Sequence, residues 1–180
     1  MLDEILAKIQ RRNQISRLKK HPHVSFKGIK LGTGDHIVLH ENLKKVTIGS
    51  AVSFRNYVHI LVEKNATLEI GNNFFMNNFC SINCLDSISI GNNTLFGENV
   101  KLYDHNHAYQ SHPEFKLFSS EFTTAPIKIG SNCWLGSNVT VLKGVTIGDN
   151  CIIGAGCTIH KDIPANTTVI NRQDLIFKEH

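Results

Sequence analysis

The run Tyr103-Asp104-His105-Asn106-His107 contains the side chains best suited to chemistry. A histidine can act as a general base near neutral pH, and an acidic or carbonyl partner fixes which ring nitrogen carries the proton. Asp104 is one candidate for orienting such a ring, and a backbone carbonyl could do the same work. The same residue types also suit a surface turn, so the surroundings of the run decide between the two interpretations.

A six-residue repeat surrounds this run and is plainest over residues 129–164. A period of six fits neither an α-helix nor an alternating strand, and it is typical of a parallel β-helix that turns a corner every six residues. Glycine and asparagine recur at fixed offsets, where corners need a positive φ. The aliphatic residues that recur at every sixth position are Ile129, Leu135, Val141, Ile147, Ile153 and Ile159.

The spacing of the coils shows where extra residues leave the stack. Coils begin at Ile48, Ile70, Ile90, Ile129 and Ile147, so successive starts lie 22, 20, 39 and 18 residues apart. A regular coil takes eighteen residues, so all the insertions fall after the third hexapeptide and share one corner. Insertions of this kind map to one face of a solenoid, often the binding face. The histidine run lies at this corner, and its position favours the catalytic interpretation.

The longest insertion is a protruding loop over residues 108–128 with four aromatic side chains, which we expect to cover a neighbouring subunit. The β-helix is predicted over residues 23–165, and its first coil, within 21–45, is degenerate. Residues 1–22 are predicted to form a helical cap with an apolar side, and residues 166–180 a C-terminal tail after Pro164 ends the last coil. Contact of the basic helix with a membrane surface is an alternative to capping. The apolar side of the helix comprises Leu2, Ile5, Leu6, Ile9, Ile15 and Leu18.

Composition narrows the class of protein. The chain has 180 residues, 41% of them hydrophobic, which indicates one domain. The net charge of +4 lies within the first twenty residues, so the body has no basic face for nucleic acid. The five cysteines lack the spacing of a zinc site, and Cys133, Cys151 and Cys157 are predicted to point inward. Reduced buried thiols and the lack of a signal peptide predict a cytoplasmic protein.

Four motifs carry a resemblance to a known family. The chain resembles the left-handed β-helix acetyltransferases with hexapeptide repeats, most of all the maltose/galactoside and polysaccharide O-acetyltransferase group. The resemblance implies an all-β, left-handed parallel β-helix that assembles as a homotrimer, with active sites between subunits. It also implies direct acetyl transfer from acetyl-CoA to a sugar or glycan hydroxyl, with no metal. The motifs are Pro126-Ile127-Lys128-Ile129-Gly130-Ser131-Asn132-Cys133-Trp134-Leu135-Gly136, Val145-Thr146-Ile147-Gly148-Asp149-Asn150, Ile153-Gly154-Ala155-Gly156 and Lys161-Asp162-Ile163-Pro164.

The resemblance also implies roles for particular residues. The family's base lies seventeen residues after the isoleucine of a coil's Ile-Gly, and counting from Ile90 reaches His107; His105 is the second candidate. The family's acceptor-binding asparagine is replaced here by Phe79, so Asn77, Asn78 or Asn83 is expected to serve instead. Two further departures are the missing Gly-x-Pro turn after the last coil and a shorter N-terminal helix. The residues implied for coenzyme A binding are Trp134, Gly136, Ser137, Gly154, Ala155 and Lys161.

Three other functions remain open at the level of sequence. N-acetylation of an amino sugar could use the same base. A carbonic-anhydrase-like branch of this fold would need three histidines from adjacent coils and subunits. A structural β-helix would have no catalytic role. Metal content and release of the coenzyme A thiol separate these classes. The histidines available for a metal are His59, His105, His107, His112 and His160.

Overall fold

Three parallel sheets form the walls of a β-helix, in a computed structural model that describes residues 2–173 and 176–178. Each coil contributes one strand to each sheet, and successive coils pair in parallel. The predicted β-helix is confirmed, with about six turns. Its left-handed winding stays a prediction of the resemblance.

The strands are short, since each side of a coil is only about six residues long. Sheet one contains Val24–Phe26, Lys45–Ile48, Thr67–Ile70, Ser87–Ile90, Ile127–Ile129 and Thr146–Ile147. Sheet two contains Ile29–Lys30, Val52–Phe54, Phe75–Met76, Leu95–Phe96, Trp134–Leu135, Ile152–Ile153 and Thr168–Val169. Sheet three contains His36–Leu39, His59–Val62, Ser81–Cys84, Lys101–Tyr103, Thr140–Leu142 and Thr158–Ile159.

The core consists of columns of aliphatic and aromatic side chains that run along the helix axis. The predicted coil starts lie one above another, from Ile48 through Ile70 and Ile90 to Ile129 and Ile147. All are at most 4% exposed. Full burial of such a side chain stabilises the fold by about 1.5–3 kcal/mol. Because every coil repeats the same inward positions, the six-residue repeat of the sequence identifies the residues of the core. The degenerate first coil is also confirmed, since Phe26 pairs with Ile48 and Ile37 with Ile60.

Asparagine side chains stabilise the corner between sheets one and two. Asparagine tolerates the left-handed region better than other side chains that have a Cβ. Here the corner residues have φ between 54° and 61°. Each amide Nδ2 donates to the Oδ1 of the next coil at 2.9–3.1 Å, so the side chains form a ladder parallel to the backbone ladders. The ladder comprises Asn73, Asn93, Asn132, Asn150 and Asn166.

The corner between sheets two and three has a different column. Asn99 and Asn138 again adopt φ of 57° and 61°, and the Nδ2 of Asn99 donates to Asn138 at 2.8 Å. In the two preceding coils this place is taken by Tyr57 and Phe79, at φ of 60° and 61°. A bulky residue held in this region costs about 1–3 kcal/mol. The chain therefore tolerates two strained aromatic residues at one corner.

The N-terminal helix, Leu2–Lys20, covers the open edge of the first coil. Gln14 accepts a hydrogen bond from the backbone N–H of Ile37 at 2.8 Å and donates one to the carbonyl of Asp35. Leu18 is fully buried and Ile15 packs against the core. One amide side chain thus satisfies backbone groups that have no coil beneath them.

Part of the predicted apolar side of the helix does not reach the core. Ile5, Leu6 and Ile9 are 49–54% exposed, whereas Ala7 is buried. The side chain of Leu2 lies outside the described residues. Within residues 2–173 and 176–178, no helix has the length and apolar character needed to cross a membrane.

The β-helix extends beyond the predicted boundary at residue 165. Ile163 forms a bridge with Ile147, and Thr168–Val169 pairs with Ile152–Ile153. Pro164 therefore lies within a seventh, partial coil and does not end the β-helix. It can do so because the N–H groups that pair with the coil below belong to neighbouring residues such as Ile163. Of the predicted tail, residues 174–175 and 179–180 lie outside the described part.

The inward cysteines give a test of the register. Cys133, Cys151 and Cys157 are all at most 5% exposed, which confirms their predicted orientation. Burial raises the pKa of the Cys133 and Cys157 thiols and raises the pKa of Cys80 to about 11. Because the thiolate is the reactive form, an aromatic disulfide reagent should modify none of the five cysteines rapidly in the native protein.

The matched control is Ser50→Cys, which places a thiol at an exposed corner. That variant should release one equivalent of chromophore at once, and denaturant should expose all the remaining thiols. Rapid modification of a native cysteine would show that the register is wrong at its coil.

Candidate active site

All the insertions emerge at the corner between sheets three and one, as the spacing predicted. The longest is a β-hairpin whose strands, His105–Gln110 and Lys116–Thr124, pair in antiparallel fashion. The predicted excursion is therefore present, but it begins at His105, and the chain rejoins the stack at Ile127. Both candidate histidines consequently lie on the first strand of the hairpin. Strand pairing, rather than a flexible turn, determines where their rings are.

Asp104 anchors the root of the hairpin. Its side chain is fully buried, and its carboxylate accepts hydrogen bonds from the backbone N–H groups of Leu85 and Asp86 at 2.8–3.0 Å. The Nδ1 of His105 lies 3.2 Å from the same carboxylate. A buried carboxylate requires such partners. Asp104 therefore orients His105, and it does not contact the ring of His107.

His105 lies at the wall of a cleft of about 480 Å³. Its side chain is 16% exposed. Its ring is nearly perpendicular to the rings of Phe122 and Tyr103, with centroid distances of 5.3 and 6.1 Å. The cleft is also lined by an acidic and a basic residue, Glu63 and Lys64, from the shorter insertion of an earlier coil. The remaining lining residues are Leu61, Leu85 and Thr124.

His107 is more exposed and has a different partner. Its Nδ1 lies 3.3 Å from the carbonyl oxygen of Phe118 on the second hairpin strand, and its ring centroid is 4.7 Å from that of Phe122. A carbonyl oxygen only accepts hydrogen bonds, so this contact places the proton on Nδ1. Nε2 is then the basic nitrogen. Of the two partners that the sequence left open for His107, Asp104 and a backbone carbonyl, the carbonyl is the one that orients its ring.

The residues predicted to bind coenzyme A lie on another side of the chain. Trp134 is 53% exposed on the outer face of sheet two, between Leu95 and Ile152. Gly136 follows it at the corner with sheet three, where a Cβ would meet the backbone nitrogen of Ala155 at 2.7 Å. The glycine therefore permits close stacking of the two coils.

Three other residues of this predicted set, Ser137, Gly154 and Ala155, continue the same side. The Oγ of Ser137 accepts a hydrogen bond from the backbone N–H of Glu98 at 3.3 Å. Gly154 donates to the carbonyl of Val169 at 2.7 Å, so it helps to hold the partial seventh coil. Ala155 is exposed at the corner, and Lys161 is exposed after the last strand of sheet three. Lys161 therefore lies at the corner between sheets three and one, two coils after the histidines, whereas the other residues of the set are not brought to them within one chain.

Two of the three asparagines proposed for the acceptor, Asn83 and Asn78, are separated. Asn83 lies on sheet three between Leu61 and Tyr103, beside the cleft of His105. Asn78 lies at the corner between sheets two and three, where it donates to Glu98 at 3.0 Å and accepts from the N–H of Asn56 at 3.1 Å. Asn78 is therefore engaged in coil stacking at the far end of the sheet-three strands.

Sequence reasoning missed the contacts made by the second hairpin strand. Phe122, which touches both histidine rings, and the carbonyl of Phe118 were predicted only as parts of a loop. The stretches on both sides of His112 and Pro113 lack a strong apolar alternation, so strand pairing there had little signal. In the described part of the chain, no three His, Cys, Asp or Glu side chains converge in a group that could hold a metal.

Comparisons with known proteins agree with this fold. A family model described as bacterial transferase hexapeptide (six repeats) matches residues 126–161. Nodulation protein L of Rhizobium meliloti is 35% identical over 135 residues, which cover 75% of this chain and 70% of that protein. These matches and the coil geometry define a hexapeptide-repeat β-helix protein. The chain belongs to the bacterial hexapeptide-repeat transferase family.

Two further relatives are named for sugar acetylation. Galactoside O-acetyltransferase of Escherichia coli is 42% identical over 101 residues, which cover 56% of this chain and 48% of that enzyme. The crystal structure of a maltose O-acetyltransferase from Clostridium difficile 630 is similar with a TM-score of 0.55 and 28% identity, covering 87% of this chain and 69% of that one. The chain spans 48–58% of the length of three of the curated relatives that it matches.

The hydrogen bonds of the Asp104 carboxylate can be tested by substitution. Asp104→Ala should lower the free energy of unfolding by about 1–3 kcal/mol, because the N–H groups of Leu85 and Asp86 would lose their buried acceptor. Chemical denaturation measures this change. Asp86→Ala is the matched control, since the Asp86 carboxylate accepts no hydrogen bond from the described residues. Equal stability of the two variants would contradict the anchoring role of Asp104.

Proposed function

We propose that this protein transfers an acetyl group from acetyl-CoA to a hydroxyl of a sugar or glycan. The observation that carries the proposal is the pair of oriented histidines at the root of the hairpin, at the one corner where all the insertions meet. Relatives named as O-acetyltransferases of galactosides and maltose support the same chemistry.

His107 is the proposed general base. Its Nε2 accepts the proton of the acceptor hydroxyl while that oxygen attacks the thioester carbonyl, which forms a tetrahedral intermediate. When the C–S bond breaks, the imidazolium returns its proton to the sulfur that leaves. The contact with Phe118 keeps Nε2 free for both transfers. A fixed backbone N–H would stabilise the oxyanion. The buried cysteines take no part in this transfer.

His105 is the alternative base, because the Asp104 carboxylate orients its ring in the same sense. Its ring is less exposed than that of His107 and is enclosed by Phe122 and Tyr103. We therefore assign His105 a positioning role at the wall of the acceptor cleft. Asn83 lies beside this cleft and is better placed than Asn78 to bind an acceptor hydroxyl there.

The coenzyme is proposed to lie along the edge of sheet two. Trp134 would border the thioester end, and the backbone groups of Gly136, Ser137, Gly154 and Ala155 would bind the amides of the pantetheine arm. The exposed ammonium of Lys161 would approach the nucleotide phosphates.

We propose a homotrimer, the assembly that the family resemblance implies, and the separation of these two sets supports a site shared between subunits. His107 and Trp134 lie on different sides of one chain, so a site that uses both needs two subunits. The exposed aromatic side chains of the hairpin, Tyr109 and Phe115, would be covered by the neighbour. Five buried free cysteines favour a reducing compartment, and we place the protein in the cytoplasm.

The base is tested by single substitutions. His107→Ala should lower turnover by about 10²–10⁴-fold, the usual contribution of a positioned acid–base group. Its affinity for acetyl-CoA should change little, because the proton transfer follows binding. The measurement is coenzyme A release with a competent sugar acceptor, with the assembly state checked by sedimentation.

His105→Ala is the matched comparison, two residues away on the same strand. It should cost much less than His107→Ala. If His105→Ala loses turnover while His107→Ala keeps it, the base is His105. If both variants remain active, general-base catalysis at this corner is refuted.

The shared site is tested by mixing inactive variants. Trimers of His107→Ala and trimers of Trp134→Ala should each be impaired, because each lacks one half of every site. After dissociation and reassembly together, some sites combine an intact histidine side from one subunit with an intact tryptophan side from its neighbour. Coenzyme A release should therefore recover above the level of either variant. No recovery in verified mixed trimers would show that each site lies within one subunit.

A further inference from the structure

Two exposed aromatic rings stack at the corner between sheets two and three. The rings of Tyr57 and Phe79 lie 5.3 Å apart with an angle of 2° between their planes. Both residues are 56% exposed. Their stacking follows the spacing of the coils, since each occupies the same corner position in its own coil.

The backbone at these two residues disfavours aromatic side chains. Both have positive φ, and the equivalent positions of later coils are occupied by Asn99, Asn138 and Gly156. Asparagine or glycine would relieve the strain at Tyr57 and Phe79 without changing the fold. Strained residues of this kind cluster at functional sites. Since the rings are exposed and add nothing to the core, a role at the surface explains them better than packing does.

The column around the rings leaves one face for a ligand. Below Tyr57 lies Gly34, where a Cβ would come within 2.5 Å of the Tyr57 ring, so the glycine makes room for that ring. Beyond Phe79 the next corner residue is the shorter Asn99, whose N–H donates to the carbonyl of Asn78. Among the described residues, Tyr57 is the one aromatic ring stacked on Phe79. At that level the short side chain of Asn99 donates to Asn138, so a flat ligand would lie outside it, against the exposed part of the Phe79 ring, and extend the stack by one step.

Polar groups line the edge of this position. Asn78 donates to one carboxylate oxygen of Glu98 at 3.0 Å, and the carboxylate keeps further capacity to accept hydrogen bonds. A pyranose ring combines an apolar C–H face, which stacks on an aromatic ring, with hydroxyl groups that donate to carboxylate and amide oxygens. The negative charge of Glu98 disfavours a nucleotide, whose phosphates are also negative. The chemistry of the corner therefore fits a neutral sugar.

The same polar groups argue against a second copy of the chain as the occupant. The amides of Asn56 and Asn78 and the carboxylate of Glu98 lie between the rings and the exposed apolar side chains of sheet two. The rings are therefore not continuous with a larger apolar surface of the kind that protein interfaces bury.

We propose that Tyr57 and Phe79 form a carbohydrate-binding subsite that holds a pyranose ring of the acceptor glycan. The proposal rests on the sugar acetylation proposed above, because only that activity makes the bound sugar an acceptor. In one chain the subsite lies roughly 20 Å from the insertion corner, because about six strand residues separate Phe79 from Leu85. Phe79 would therefore hold the acceptor without taking part in proton transfer.

Phe79→Asn is the decisive variant, because asparagine already occupies this corner in later coils. It should keep or raise the melting temperature while weakening the binding of maltose and methyl β-galactoside by about threefold to tenfold. Binding is measured by calorimetry and by ligand-observed NMR without acetyl-CoA. In coenzyme A release, the KM for a glycan long enough to reach from the subsite to the histidines should rise by the same factor with kcat unchanged.

Two controls accompany it. Phe79→Tyr keeps a ring at the corner and should bind both sugars as the wild type does. Ala51→Asn introduces asparagine at a positive φ of 55° on the other corner, so it measures the relief of strain without loss of a ring. It should change stability in the same direction as Phe79→Asn and leave sugar binding unchanged.

The subsite is overturned if the wild-type protein binds neither sugar, or if Phe79→Asn binds both sugars as tightly as the wild type. It is also overturned if Phe79→Asn weakens the binding of acetyl-CoA instead. Dissociation of the oligomer by Phe79→Asn would assign the rings to an interface between copies. If the wild type releases no coenzyme A with any sugar but still binds sugars through Phe79, the subsite stands and the proposed transferase activity fails.

Discussion

Stacking of each coil on the next is the constraint on which the rest of this structure depends. A strand of two to four residues cannot form a stable sheet alone, so every side of a coil relies on parallel hydrogen bonds to the coils above and below. The inward side chains, the glycines at close contacts and the asparagine ladder all serve the same spacing. A residue inserted within a side would shift every inward residue after it. Insertions are therefore tolerated only at a corner, and the candidate active site lies where they are.

The fold could be read from the sequence because its rule is local and repeated. The six-residue period predicted the columns that begin at Ile48 and Ile129 and the inward cysteines, and the structure has them. Where the six-residue period breaks down, the predicted coil boundary was wrong. The coil that begins at Ile147 is two residues shorter than the regular eighteen. Ile163, which pairs with Ile147 and begins the next coil, was therefore predicted to end the last one.

The candidate site was predictable only in part, since its geometry depends on residues that obey no repeat. The spacing located His105 and His107 at the insertion corner. It could not show that Asp104 would turn away from His107 toward His105 and the amides of Leu85 and Asp86, because those contacts join separate coils. The separation of His107 from Trp134 likewise depends on the three-dimensional arrangement of the sheets, since Trp134 lies on sheet two and His107 follows a strand of sheet three.

The amide of Gln14 gives the two ends of the coil stack different capacities for change. At the first coil it occupies the backbone groups of Asp35 and Ile37, so another coil added on that side would have to displace it. At the other end, Thr168–Val169 pairs with one strand among the described residues, Ile152–Ile153. A duplicated eighteen-residue coil could enter between Ile147 and Ile163 and leave the hairpin untouched. Evolution can thus lengthen this protein toward its C-terminus, adding a coil of outer surface while the histidine corner keeps its geometry.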